Sequence, residues 1–400
     1  MKFLSDSWCI RGTDLEEFRN AVCDLDLRTS AYSVSLDSVE LLTPHKSDGD
    51  FIRFVSSNPE GGGKIFDIKK ALSGGTPLEL IEEMKRVNLM LAIESAGNQQ
   101  VYFASAGLYR DLGARAGLVG DGLRDSTRER NAFLAARYKK VKGYATAVIR
   151  EDDGIGKVFA LASTQYAHVK QRILYAFIKR MEKELGEAEV IRWHIDHNLT
   201  WIMVRFPEKA ADIAATYGHT GIKFPMPGML LETSDTGFCS LTVSSIWEMP
   251  SRSSYVKAET YSRKHYGSVD AESFQTEVTK NVWSTYTLLP ERLCELALIN
   301  VDDPKELVQK IFQTKIGKNT LFDIVGKRDA KGIIEALCVE FNPAISYTAY
   351  DVAMTLMTLP ERLVDPTRNR NNDITKTVYR VPFMDFEKMM AKKTVILSPV

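Results

Sequence analysis

Apolar and polar positions alternate along the first half of the chain and settle into helical periods in the second. "AYSVSLDSVELL" (31–42) and "DFIRFVSS" (50–57) carry the period-2 pattern of half-buried strands, and "NPEGGGKIFDI" reads as a turn followed by a strand. Thr76, Pro77 and Glu79 give the start signals of a helix through "LELIEEMKRVNLMLAIESAG", ended by Gly97. Ser126 and Glu129 open a second helix, "RERNAFLAARYKK". "GYATAVIR" (143–150) and "KVFALAS" (157–163) flank a turn as a hairpin. The helix expected over 164–185 places Tyr166, Val169, Ile173, Phe177, Met181 and Leu185 on one stripe, with Gly186 past its end.

Two more hairpins follow: "EVIRWHI" with "TWIMVRF", and "GMLLETSDTGFCSLTVSSIWEM" turning at Thr236–Gly237, with the short helix "EKAADIAATYG" between them. From Asp270 onward the signals are helical, and "LPERL" occurs at 289–293 and again at 359–363. The fold class is therefore α+β, a hairpin-rich mixed α/β core with a helical C-terminal part. Its expected regions are a β-containing segment over 1–100, an α+β core with the binding surface over 101–268, a helical region over 269–365 and a basic arm, extended or partly ordered, over 366–400.

Composition adds little to this picture. Apolar residues make up 44% and charged residues 26%, as in ordinary globular proteins, and Lys+Arg equals Asp+Glu at 52 each. A polyanion would have to be met by a local patch. The start, "MKFLSDSWCI", turns polar by Ser5, and no apolar run approaches the ~18 to 20 residues that span a bilayer. The expectation is a cytoplasmic protein without a membrane partner, in the host cytoplasm if phage-encoded. Cys9, Cys23, Cys239, Cys294 and Cys338 are widely spaced with no CxxC, which fits reduced thiols.

Familiar chemical motifs fail on inspection. In "NPEGGGK", Lys64 is followed by Ile65 where a P-loop needs Ser or Thr on Mg²⁺. His194, Asp196 and His197 lie together in "WHIDHN", but strand positions three apart point to opposite faces, so the imidazoles are expected to diverge unless the turn brings them together, and no third ligand is evident nearby. "SDTG" (234–237) has the aspartic-protease letters without the second copy that supplies the paired carboxylate, and reads as a turn. No catalytic residue, metal ligand set or cofactor is expected, and the chain is not expected to be an enzyme.

Local charge is more informative. Between Gly113 and Arg150 stand nine bases against three acids, densest in "RYKKVKGY", where rings alternate with bases. "RSSYVKAETYSRKHY" (252–266) repeats the composition, and the strand pair between them adds Arg192, Trp193, Trp201 and Arg205. Bases supply a track for phosphates, and aromatic faces stack unpaired bases of a single strand. No helix-turn-helix, zinc finger or basic zipper points to a duplex reader. The candidate contacts are Arg137, Lys139, Lys140, Lys142, Arg192, Arg205, Arg252, Lys257, Arg263 and Lys264 for phosphates, and Tyr144, Tyr255, Tyr261 and Tyr266 for bases.

At "KVFALASTQYAHVKQRILYAF" a strand ends in Ala-x-Ser-x-x-Tyr and passes into a helix, and "KFPMPGMLLETSDTGFCSLTV" follows. This resembles the phage/plasmid-like family of unknown function, in which such a unit precedes a Ser-Asp/His-Thr/Asp-Gly hairpin; within that neighbourhood the chain is similar to the Drc-type single-stranded-DNA-binding proteins of podophages. The likeness covers roughly 100–265, with Ser163, Tyr166, Ser234, Asp235 and Gly237 matching as fold-specifying residues. It implies a phage early or middle protein that coats single-stranded DNA and acts in viral transcription or replication. The function expected is sequence-tolerant single-stranded-DNA binding, with homo-oligomers and a viral RNA polymerase or replication protein as partners. The alternative is a structural or interaction protein that docks a polymerase or self-assembles through its helical C-terminal part.

Overall fold

The computed structural model describes residues 3–48, 51–56, 63–95, 98–118, 128–250, 254–265, 271–363 and 368–391. In chain order the first elements are β1 (Cys9–Gly12), α1 (Leu15–Arg28), β2 (Thr29–Ser35), β3 (Val39–Asp48), β4 (Phe51–Ser56), β5 (Gly63–Asp67), α2 (Ile68–Ser73), α3 (Leu78–Val87), β6 (Met90–Ser95), β7 (Asn98–Ala104), α4 (Leu108–Arg115), α5 (Arg128–Tyr138), β8 (Tyr144–Asp152) and β9 (Ile155–Ala162). Strands β2 to β9 form an eight-stranded sheet in the order β2-β8-β9-β7-β6-β3-β4-β5, antiparallel except where β7 meets β9. Helices α4 and α5 cover one face through Leu108, Leu112, Leu134 and Tyr138. Helix α3 covers the other with Leu80, Ile81 and Met84, which pack with Ile52, Phe54 and Phe103.

The chain continues with α6 (Ile173–Leu185), β10 (Glu189–Asp196), β11 (Thr200–Arg205), α7 (Pro207–Tyr217), β12 (Met226–Thr233), β13 (Leu241–Glu248) and β14 (Tyr255–Arg263). With β1 these strands make a six-stranded antiparallel sheet, β1-β10-β11-β12-β13-β14. Its inner face, with Ile195, Ile202, Leu231, Val243 and Val256, joins the core shared with α1, α6 and the inner face of the larger sheet. Its outer face carries only the small cluster Met203, Leu230 and Ile246. Gly12 on β1 lets Trp193 lie against the backbone, since a Cβ there would meet its ring at 2.4 Å.

The remainder is helical: α8 (Ala271–Leu296), α9 (Pro304–Gln313), α10 (Leu321–Val325), α11 (Lys327–Cys338), α12 (Ala349–Met357), α13 (Arg368–Tyr379) and α14 (Phe386–Ala391). Helix α8 buries Phe274, Val278, Val282, Tyr286, Leu289, Leu293 and Leu296 along one stripe, the 3.6-residue period of an amphipathic helix. The α+β class and the three hairpins are as the patterning indicates. Among the described residues no helix is long and apolar enough to cross a membrane.

Several expectations change. The helix from Pro77 ends at Val87, where Asn88 takes a left-handed φ of 53°, and "MLAIES" is strand β6. Leu89 to Ile93 are buried side by side, which suits a strand covered on both faces and not a one-sided helix. Helix α6 starts at Ile173, nine residues late, because the Asp26 carboxylate accepts from the Gln171 and Arg172 amides at 2.7 and 3.1 Å and caps the helix from α1. The boundary at residue 100 falls inside β7, so the first two expected regions share one sheet. The expected basic arm contains α13, whose Ile374 and Val378 are buried and which runs along β14. The two "LPERL" copies differ: one lies within α8, the other forms a 3-10 turn over Leu359–Arg362.

Candidate nucleic-acid interface

The candidate contacts separate into three places. Helix α5 turns Leu134, Ala135 and Tyr138 into the core and leaves Arg137 exposed, with Lys139 and Lys140 exposed just beyond its end. Lys142 pairs with Asp37 at 2.6 Å. Tyr144, the first residue of β8, is 64% exposed.

The second group lies on β14, an edge strand in the segment read from sequence only as basic and aromatic. Strand alternation directs Val256 and Ala258 to the core and Tyr255 and Lys257 to the outer face, and a bulge between Lys257 and Thr260, where the pairing with β13 shifts, returns Tyr261 to the core side. Tyr261 is thus a packing residue and no stacking platform; burial raises its hydroxyl above the usual range. Lys257 is 2% exposed, with Nζ 2.6 Å from Asn372 Oδ1 and 3.6 Å from Glu232. Arg205 donates to Glu189 at 2.8 Å and Glu248 at 3.3 Å. The charges of Lys257 and Arg205 are therefore already paired with carboxylates within the fold. Arg263 is exposed, with Glu277 at 3.8 Å and the Phe274 ring at 5.8 Å, and Lys264 is exposed beside it. Arg252 and Tyr266 lie outside the described residues.

The third place is β10, where the Arg192 guanidinium sits 5.6 Å from the Trp201 ring centroid on the outer face of the six-stranded sheet. His194 shares that face, with Nε2 2.8 Å from Asp196. His197 points inward, its ring 4.1 Å from that of Phe159, so the two imidazoles diverge as strand geometry requires. Among the described residues no group of three or more His, Cys, Asp or Glu could hold a metal ion.

Residues 163–167 connect the first two places. Thr146 Oγ1, two residues from Tyr144, donates to the Ser163 carbonyl at 3.3 Å. The Tyr166 amide donates to the same carbonyl at 3.0 Å, and the Ala167 amide donates to the carbonyl of His265, next to Lys264, at 2.9 Å. The Tyr166 ring stacks on His265 at 5.5 Å and 3°, while its hydroxyl donates to the Ser234 carbonyl at 3.2 Å. Burial raises that hydroxyl far above its ordinary range. Ser234 Oγ in turn accepts from the Phe238 amide at 3.0 Å, and the Phe238 ring is 54% exposed. Ser163, Thr164 and Gln165 are exposed between the two basic segments. Arg137, Lys139, Lys140 and Lys264 make no ion pair within the described residues.

Beneath this strip lies a buried charge network that sequence reading missed. Arg150 on β8 and Lys157 on β9 are cross-strand partners facing the smaller sheet. Arg150 donates to both carboxylate oxygens of Asp235, at 2.6 and 2.8 Å, and contacts His197 Nδ1. Lys157 lies 2.8 Å from both Glu83 and Asp6. Both cations border the Phe159 ring, at 4.7 and 5.5 Å. The available signal was a cation beside the apolar runs Ala145–Ile149 and Val158–Ala162. No protein family, curated protein or solved structure matches the chain.

Proposed function

We propose that the protein binds single-stranded DNA, without sequence preference, along the strip from the end of α5 across residues 163–165 to Lys264. The observation that carries this reading is the pair of hydrogen bonds, Thr146 to Ser163 and Ala167 to His265, by which segments about 120 residues apart in sequence border one surface. Arg137, Lys139, Lys140 and Lys264 attract phosphates, and Tyr144 and Phe238 offer exposed rings to unpaired bases. The buried Arg150–Asp235 pair lies below as a rigid support and is not a contact.

Titration of the protein with a labelled single strand and the matching duplex at two salt concentrations tests this. Tighter binding to the single strand, weakening steeply with salt, is expected. Equal affinity for both, affinity independent of salt, or no binding overturns it.

A further inference from the structure

At its β1 edge the outer face of the six-stranded sheet opens a hollow of about 600 Å³, bordered by Arg11, Thr13, Arg192, His194, Leu199 and Trp201. A row of side chains crosses three strands there. Cross-strand register sets Arg11 opposite His194, and His194 opposite Trp201. Arg11 Nε donates to His194 Nδ1 at 3.2 Å, so Nδ1 is the acceptor of a neutral ring whose proton sits on Nε2 and is donated to Asp196 at 2.8 Å. The imidazole stacks on the Trp201 ring at 6.0 Å and 23°, and the Arg192 guanidinium lies 5.6 Å from the centroid of the same ring. Trp201 is therefore already covered, and its part is to hold His194 and Arg192 in place.

Both arginines are thus positioned by partners that carry no charge. Neither makes an ion pair among the described residues, and the Arg11 Nη groups and the whole Arg192 fork keep their donors. A guanidinium donates and never accepts. No carboxylate borders the hollow. Asp196 is taken up by His194 and by the Asn198 and Leu199 amides, at 2.7 and 2.8 Å, and Asp14 caps α1 through the Glu17 amide at 2.8 Å. The hollow therefore presents two uncompensated charges and a surplus of donors. A phosphate monoester, with about −1.5 to −2 charges at pH 7 and three acceptor oxygens, matches this; a diester or a carboxylate brings a single charge. The space is larger than a phosphate group, and Leu199 gives the organic part of an ester an apolar wall. We infer that this hollow binds a phosphate monoester, its oxygens shared between Arg11 and Arg192. The site uses none of the residues of the strand-binding strip and stands or falls apart from it.

Calorimetric titration of the full chain with ribose 5-phosphate, inorganic phosphate, dimethyl phosphate and acetate tests it. Ribose 5-phosphate is expected to bind, inorganic phosphate to compete with it, and dimethyl phosphate and acetate to be at least about tenfold weaker for want of the second charge. Arg11→Ala and Arg192→Ala, both at exposed positions, should each weaken ribose 5-phosphate about tenfold by removing a charge-assisted contact. Arg192→Lys should lose part of that, since it keeps the charge and gives up the planar fork. Lys264→Ala, on the strip, should leave the affinity unchanged. A 5′-phosphorylated oligomer bound more tightly than its 5′-hydroxyl twin, by a margin lost in Arg192→Ala, would assign the phosphate to a strand end, and equal binding of the twins to a small ester; both support the site. No binding of ribose 5-phosphate, dimethyl phosphate binding as tightly, unchanged affinity in both arginine→Ala variants, or an equal loss in Lys264→Ala overturns the inference. If Arg11→Ala lowers the urea midpoint by disturbing β1, Arg192→Ala decides.

Discussion

Arg150 and Asp235 meet across the junction of the two sheets with both side chains sealed from solvent, the guanidinium reaching both carboxylate oxygens at 2.6 and 2.8 Å. Such a pair contributes little net stability against a hydrophobic replacement, yet removing one partner strands a buried charge. Asp235→Ala should therefore lose about 3–5 kcal/mol in urea denaturation. The double replacement Arg150→Met with Asp235→Leu should recover most of that loss. A single variant as stable as the parent would show that water already compensates this charge.

The second buried cation ties down the N-terminal segment. Lys157 Nζ also donates to the Leu4 carbonyl at 3.0 Å, and Glu83 accepts from Ser5 Oγ at 2.6 Å and the Asp6 amide at 3.0 Å. Burial opposes ionisation of Glu83, but the hydrogen bonds from Lys157 and Ser5 outweigh it and hold its carboxyl below the usual range. Glu83→Ala should thus release residues 3–8 before the rest unfolds. Hydrogen exchange would detect this as faster exchange there, with β10 to β13 unchanged.

His197 makes stability depend on mild acid. Burial, reinforced by Arg150 and Lys157, pushes its pKa down to about 2 from an ordinary 6.5, so the folded protein keeps the ring neutral while the unfolded chain takes up a proton. The contribution is complete above pH 6.5 and declines as pH falls from there towards 2. At about 1.4 kcal/mol per pH unit, roughly 1.4 kcal/mol is lost by pH 5.5. His197→Phe should remove this component, seen as a smaller difference between urea midpoints at pH 7.5 and 5.5.

What was legible in the sequence was local. The hairpins β8–β9, β10–β11 and β12–β13 announce themselves through alternation and turn residues, and the buried stripe of α6 from Ile173 through its Gly186 cap. What was not legible depended on distant partners. Strand β6 continues the apolar run of α3, and only its place between β3 and β7 makes it extended. The start of α6 is set by Asp26, more than 140 residues away along the chain. In the basic segment 252–266 the bases and rings were visible, but not their directions: β14 turns Tyr261 inward, and Glu232 and Asn372 consume Lys257. The usable part of the segment reduces to its end, where Lys264 adjoins His265 and the 163–167 segment.

Two tyrosines from that reading now part company. Tyr144 is 64% exposed at the edge of the proposed strip, whereas Tyr261 packs against the core. Tyr144→Ala should weaken single-strand binding by about 1–3 kcal/mol, the increment of one stacked base, and leave the urea midpoint nearly unchanged. Tyr261→Ala should do the opposite, costing about 1–3 kcal/mol of stability through lost packing of a half-buried ring, with DNA affinity preserved in the folded fraction. The lysines divide the same way. Lys264→Ala should lower the slope of log affinity against log salt by about one contact. Lys257→Ala should leave that slope alone, because its charge is already met by Glu232 and reaches no phosphate. Fluorescence anisotropy at several salt concentrations, paired with urea melts of the same four variants, separates the two patterns. A Tyr261→Ala protein that stays folded and loses affinity would place the strand on β14 instead of on the strip.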